Sequence, residues 1–151
     1  IGEAKAVSIM AALELGRRRR YSEALEQPSI KNSKIAYECF YAYLSDLNHE
    51  QFWIMLLNNA NKVIKLEQIG VGGMTGTTAD PKKIFKCALA NNAASVMLCH
   101  NHPSGNIKPS NADKQITNNL INAGKFLEIK ILDHIIIGND NYFSFADEGL
   151  L

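Results

Sequence analysis

Two histidines and an aspartate lie close together in the stretch CHNHPSGNIKPSNAD, residues 99–113. The chain contains four histidines, and two of them, His100 and His102, are separated here by a single residue. A catalytic Zn²⁺ ion usually takes three protein ligands from His, Asp, Glu and Cys and leaves a fourth position for water. The stretch therefore predicts a Zn²⁺ site with His100, His102 and Asp113 as ligands.

The elements predicted around these residues would bring the three side chains together. Residues 93–100, AASVMLCH, predict a buried strand, and residues i and i+2 of a strand face the same way. Pro109 and Ser110 predict the start of a helix, SNADKQITNNLINAG, with Asp113 in its first turn. Ser110 at the N-cap can bond the amide of residue 113 and also direct its hydroxyl into the same cleft.

Each of these signals also has a purely structural interpretation. A histidine pair at the end of a strand can be a solvated edge, and S-x-x-D is also the pattern of an acidic capping box. The capping interpretation does not compete with the functional one, because one helical turn can do both. The joint occurrence of the two patterns favours a metal site.

The rest of the chain predicts alternating helices and strands. Residues 1–20 predict a helix ending in Arg17 to Arg20, residues 21–32 a linker, and residues 33–151 one domain. The predicted elements of that domain are helices at 34–47, 81–92 and 110–124, the last capped by Gly124, and strands at 50–58, 62–71, 93–100, 128–138 and 142–147. This order predicts an α/β or α+β fold, with a mixed β-sheet flanked by helices.

Composition excludes several classes of protein. With 151 residues, 46% hydrophobic and 21% charged, the chain can form one domain with its own core. Three cysteines without a CxxC pair disfavour a disulfide framework and fit a reducing compartment. No stretch predicts a membrane span or a signal peptide, so we expect a cytoplasmic protein without a membrane partner. Its first residue is Ile, which indicates a piece of a longer protein.

The pattern H-x-H, seven residues, S-x-x-D, matched by His100, His102, Ser110 and Asp113, resembles the metal motif of the JAMM (MPN-plus) metalloproteases. The chain also resembles the RadC family, a bacterial branch of that superfamily historically labelled DNA repair proteins. The resemblance lies in the segment CALANNAASVMLCHNHPSGNIKPSNADKQIT and in LDHIIIG, which follows it. The resemblance covers about residues 33–151. It implies a JAMM/MPN-like mixed sheet with a deaminase-like layered architecture. It also implies a zinc metallopeptidase or isopeptidase-like hydrolase that acts on a peptide or protein substrate.

The same resemblance implies a glutamate as general base, at the start of an early strand. Glu50 matches that place, immediately before QFWIMLLN, whereas Glu67 and Glu38 are weaker matches. Ser110 would donate a hydrogen bond to the developing oxyanion. The segment IGEAKA and the helix after it resemble the end of a helix-hairpin-helix domain, so DNA is a possible partner through the missing N-terminal region.

Several alternatives stay open at this point. The strongest is a non-catalytic DNA-associated or protein-binding module with a structural or vestigial metal site. His134 is either a partner of a metal ligand or an ordinary core or surface histidine. The glycine-rich GVGGMTGTT lacks a nucleotide-binding pattern and could be a flap beside the cleft. Arg17 to Arg20 are either a solvated helix end or a phosphate contact, and a net charge of −2 on residues 21–151 disfavours a DNA-binding surface there.

Overall fold

The predicted alternation of helices and strands is present in the computed structural model, which describes residues 2–24, 28–45, 47–72 and 79–151. In chain order the elements are α1 Glu3–Ala24, α2 Ser33–Leu44, β1 Gln51–Leu57, β2 Val63–Val71, α3 Pro81–Ala90, β3 Ser95–Asn101, α4 Asn111–Leu127, β4 Lys130–Gly138 and β5 Asn141–Ser144. None of the helices in these ranges combines the length and apolar composition needed to cross a bilayer.

The five strands form one sheet in the order β2-β1-β3-β4-β5. Only the pair β3 and β4 is parallel, and the other neighbouring strands are antiparallel. β3 lies at the centre of the sheet, and all seven of its residues are buried. The sheet is therefore mixed and flanked by helices, which confirms the predicted α+β fold class.

Alternating side chains of the central strands belong to two separate hydrophobic cores, one on each face of the sheet. Val96 and Leu98 of β3 belong to the core that includes residues of α3 and α4. Met97 and Cys99 belong to the core on the opposite face, which includes residues of α2. Because successive strand residues point to opposite faces, His100 is directed to the α4 side of the sheet. Cys99 is fully buried on the other side.

The N-terminal helix is longer than predicted. α1 continues to Ala24, so its last four residues fall in the segment predicted as a linker. Further along that segment, Ser29 forms a bridge with Lys62, and Ile30 is part of the α2-side core. Apolar side chains of α1 are exposed, among them Val7, Met10 and Leu13. The proposed division into a helix-hairpin-helix remnant, a linker and a domain stays a prediction.

The other helix ends also differ from the prediction, and α3 ends at Ala90 instead of residue 92. α2 ends at Leu44 instead of Leu47, because Ser45 has an extended backbone with ψ of 145°. α4 passes through Gly124, the predicted cap, and ends at Leu127. The cap is Glu128, whose φ of 54° is left-handed, and the Gly124 carbonyl accepts from the amides of Glu128 and Ile129.

Gly124 is required by close packing rather than by helix termination. A Cβ atom at this position would clash with the backbone carbonyl oxygen of Ile129, which cannot move aside as a side-chain end could. The glycine therefore allows the chain to fold back over the helix as it enters β4.

We expect Gly124→Ala to destabilise the protein by about 1–3 kcal/mol, as overpacking does, although alanine has the higher helix propensity. Gly16→Ala is the matched control, because nothing lies within 4 Å of a Cβ atom at Gly16 in the exposed α1. Urea unfolding of both variants checks this. Equal midpoints for Gly124→Ala and the wild type would contradict the packing argument.

Candidate metal centre

His100 and His102 meet at the carboxyl end of β3. His100 is almost fully buried and His102 follows the last strand residue. Their Nε2 atoms lie 2.9 Å apart, and the ring centroids are 4.7 Å apart. The prediction that the two imidazoles converge is therefore met by the geometry.

Asp113 lies beside them because α4 begins at this edge of the sheet. Ser110 is the N-cap, and its Oγ accepts a 3.1 Å hydrogen bond from the Asp113 amide. In return, the amide and the hydroxyl of Ser110 donate to Asp113 Oδ2 at 2.7 and 2.6 Å. The other carboxylate oxygen, Oδ1, lies 3.3 Å from His100 Nε2, and Oδ2 lies 3.9 Å from His102 Nε2. One helical turn thus forms a capping box and directs a carboxylate to the histidines.

The hydroxyl of Ser110 has a definite partner in this arrangement. A hydroxyl carries one proton, and that of Ser110 goes to Asp113 Oδ2. Its predicted role as an oxyanion donor therefore requires this hydrogen bond to open when substrate is present.

Glu50 approaches the histidines from the start of β1. Its Oε1 lies 3.5 Å from His102 Nε2, and single ligand atoms of Glu50, His100 and His102 all lie within 4.8 Å of one another. The two weaker glutamates lie elsewhere. Glu67 pairs with Lys65 at 2.7 Å on β2, and Glu38 is exposed on α2.

Asn101, between the two histidines, holds the backbone on both sides of Glu50. Its Oδ1 accepts from the Gln51 amide at 2.8 Å, and its Nδ2 donates to the His49 carbonyl at 3.0 Å. The Glu50 carbonyl accepts from the Gly72 amide at 2.7 Å. Asn101 itself is only 3% exposed, and both contacts are partly buried. The two hydrogen bonds of Asn101 to the backbone on either side of Glu50 are called the Asn101 clamp. The alternation of β3 thus directs His100 to one face of the sheet and Asn101 to the other.

His134 of β4 is fully buried behind His100. Its Nε2 lies 2.8 Å from His100 Nδ1, and its Nδ1 lies 2.6 Å from the hydroxyl of Thr117. Thr117 in turn donates a 2.6 Å hydrogen bond to the Asp113 carbonyl. Of the two interpretations of His134, the structure supports a partner of a candidate ligand. Sequence analysis did not identify Thr117, although its position four residues after Asp113 places it on the same helix face.

Burial keeps both inner histidines neutral. It lowers the pKa of His100 to about 4, with Asp113 acting in the opposite direction and His102 in the same one. Burial also lowers the pKa of His134 well below its usual value, and His100 and His102 add to the effect. Neutral imidazoles are the form that binds metal ions.

An open groove of about 430 Å³ passes His102 on the side away from α4. Tyr41, Leu47, Asn101, Pro103 and Asp140 are among its lining residues. The predicted glycine-rich flap falls largely on residues 73–78, outside the described residues, as do the side chains of residues 18–20 in the arginine run.

Comparisons with known proteins identify related chains. The family model described as RadC-like JAB domain matches residues 30–150. A UPF0758 protein of Flavobacterium johnsoniae is 52% identical over 150 residues, covering 99% of this chain and 66% of that protein. A UPF0758 protein of Porphyromonas gingivalis is 44% identical over 152 residues, with 100% and 67% covered. One from Clostridium acetobutylicum is 41% identical, with 100% and 66% covered. The chain thus spans about two thirds of the length of these relatives.

We expect Asn101→Ala to lower the free energy of unfolding by about 1–3 kcal/mol, the usual cost of leaving buried polar groups unpaired. The affected groups are the His49 carbonyl and the Gln51 amide. Urea unfolding of metal-free protein checks this, with Asn118→Ala on the exposed face of α4 as the control. If the two variants were equally stable, the clamp would have no energetic role.

Proposed function

This chain belongs to the RadC family, whose members share a RadC-like JAB domain, and we propose that it is a zinc-dependent hydrolase that cleaves peptide or isopeptide amide bonds. The resemblance expected from the sequence is thereby confirmed for the family. The metal, the activity and the roles of the site residues are the content of the proposal.

The observation that carries the proposal is the convergence of nitrogen and oxygen ligand atoms on one point. Tetrahedral zinc ligands at 2.0–2.2 Å from the ion lie about 3.3–3.6 Å from each other. Here His100 Nε2 lies 3.3 Å from Asp113 Oδ1, within this range, and 2.9 Å from His102 Nε2, so the two rings would have to separate by a few tenths of an ångström to hold the ion. His102 Nδ1 faces the Asn106 carbonyl at 2.5 Å, and a carbonyl can only accept, so His102 Nε2 carries a lone pair. The donor set therefore fits Zn²⁺.

Two carboxylates are close enough to take part, and we assign them different roles. Asp113 is the better ligand because two hydrogen bonds from Ser110 fix its carboxylate in place. Zinc held by such a set would act as a Lewis acid and would lower the pKa of bound water to about 7. Glu50, 3.5 Å from His102 Nε2, would accept the proton of the attacking water and pass it to the leaving amine.

The rest of the site suits an amide substrate. The groove of about 430 Å³ reaches the candidate centre at His102, and its lining mixes aromatic, apolar, amide and carboxylate groups. Ser110 lies close enough to the candidate ligands to donate to a substrate oxygen once its bond to Asp113 opens. These features support a peptide or isopeptide substrate, as the JAMM resemblance implies.

The ligand role of Asp113 predicts that Asp113→Asn lowers zinc affinity by at least about 100-fold, since even residues that only support ligands are worth about 10–100-fold. Asparagine keeps an oxygen for the Ser110 amide, so most of the helix cap survives. Competition with a chromophoric chelator gives the affinity, and Glu148→Ala at an exposed position is the control. Unchanged zinc binding by Asp113→Asn would remove it from the ligand set.

The base role of Glu50 predicts that Glu50→Gln keeps its zinc and loses about 10²–10⁴-fold in turnover. Peptide and isopeptide libraries provide the assay, metal analysis the zinc content, and Glu67→Gln the control. Loss of zinc in Glu50→Gln would make this residue a ligand instead. Full activity in Glu50→Gln would refute the assignment of Glu50 as the base. Purified wild-type protein that holds no metal and binds DNA tightly would favour the non-catalytic module.

A further inference from the structure

We propose that Thr117 and His134 are positioning residues that fix the tautomer of His100, so that its Nε2 presents a lone pair to the metal. This inference rests on the proposed function, because it assigns a task to residues behind the candidate ligand. The relay is the chain of hydrogen bonds through four groups: the Asp113 carbonyl, the Thr117 hydroxyl, the His134 ring and the His100 ring.

The direction of the relay is set at its Asp113 end. The Asp113 carbonyl can only accept, so the Thr117 hydroxyl donates to it over 2.6 Å. The hydroxyl has no second proton, so at its 2.6 Å contact with His134 Nδ1 the oxygen must accept. His134 therefore carries its proton on Nδ1 and a lone pair on Nε2.

The same logic passes from His134 to His100. Their contact is 2.8 Å, and His134 Nε2 is the acceptor, so His100 Nδ1 must donate. A neutral imidazole has one N–H, which leaves a lone pair on His100 Nε2. That atom is the one 2.9 Å from His102 Nε2 and 3.3 Å from Asp113 Oδ1. The reverse direction would place a proton on His100 Nε2 and block metal binding.

Burial makes this relay specific. His134 is 0% exposed and Thr117 is 1% exposed, so water cannot replace a missing partner at low cost. Phe145 stacks on the His134 ring with centroids 4.9 Å apart, and Phe52 contacts it at 5.6 Å. The aromatic neighbours hold the ring plane, while the hydroxyl of Thr117 decides which nitrogen is protonated.

Thr117→Val tests the relay because it removes the hydroxyl and nearly keeps the shape. His134 Nδ1 then loses its acceptor, which favours the tautomer with the proton on Nε2 and forces the opposite tautomer on His100. We expect zinc affinity to fall about 10–100-fold, as for other partners of metal ligands. Thr117→Ser, which keeps the hydroxyl, should restore it to within about threefold of the wild type.

The tautomers can be measured directly in metal-free protein by long-range ¹H–¹⁵N NMR of imidazole rings. We expect His100 to be protonated at Nδ1 in the wild type and in Thr117→Ser, and to shift toward Nε2 protonation in Thr117→Val. A wild-type His100 protonated at Nε2 would overturn the proposal. So would a Thr117→Val variant with the wild-type tautomer and zinc affinity.

His134→Gln provides a second variant, because glutamine can accept from His100 Nδ1 and donate toward Thr117. His134→Gln should bind zinc more tightly than His134→Phe, because phenylalanine can neither accept nor donate a hydrogen bond there. Equal zinc affinities of the two variants would also contradict the relay. These readouts separate the relay from the hydrolase proposal. A protein that has the expected tautomers but binds no zinc would refute the proposed function and leave the relay in place.

Discussion

The parallel pairing of β3 with β4 determines where the candidate metal centre lies. Two parallel neighbours cannot be joined by a hairpin, so the chain leaving the end of β3 must cross back over the sheet before β4 begins. α4 makes this crossing. Its first turn must therefore lie near the carboxyl end of β3, which puts Asp113 beside His100 and His102. The returning strand then brings His134 behind His100. The separation of 34 residues between these two histidines is a consequence of that single crossover.

The polar cluster is stable in a largely apolar setting because its described members have partners. Among the described residues, no buried side-chain nitrogen or oxygen lacks a hydrogen-bond partner. Ser110 and Asp113 satisfy the start of α4 and also each other. Thr117 bonds back to the helix it belongs to and forward to His134. Ser110, Asp113 and Thr117, which the proposed function uses, therefore also complete a helix end or a contact between a helix and a strand.

The sequence predicted the local features of this centre and missed those that depend on strand register. Period-two alternation was sufficient to direct His100 and His102 to the same side. The S-x-x-D pattern was sufficient to place Asp113 in the first turn of α4. Glu50 was distinguished from Glu67 and Glu38 only through a family resemblance, because no local pattern tells which strand neighbours β3. His134 stayed ambiguous for the same reason, since its depth depends on how β4 aligns with β3. Gly124 was taken for a cap because the approach of Ile129 to the helix is a tertiary contact.

The Asn101 clamp has a mechanical consequence. The residue that fixes the loop of the candidate base is covalently flanked by the two candidate imidazole ligands. Because Asn101 hydrogen-bonds the backbone on both sides of Glu50, a displacement of the end of β3 would move the loop of the base together with the two imidazoles. The tripeptide His-Asn-His, at the end of β3 and just beyond it, thereby links the position of the candidate base to that of the two imidazoles.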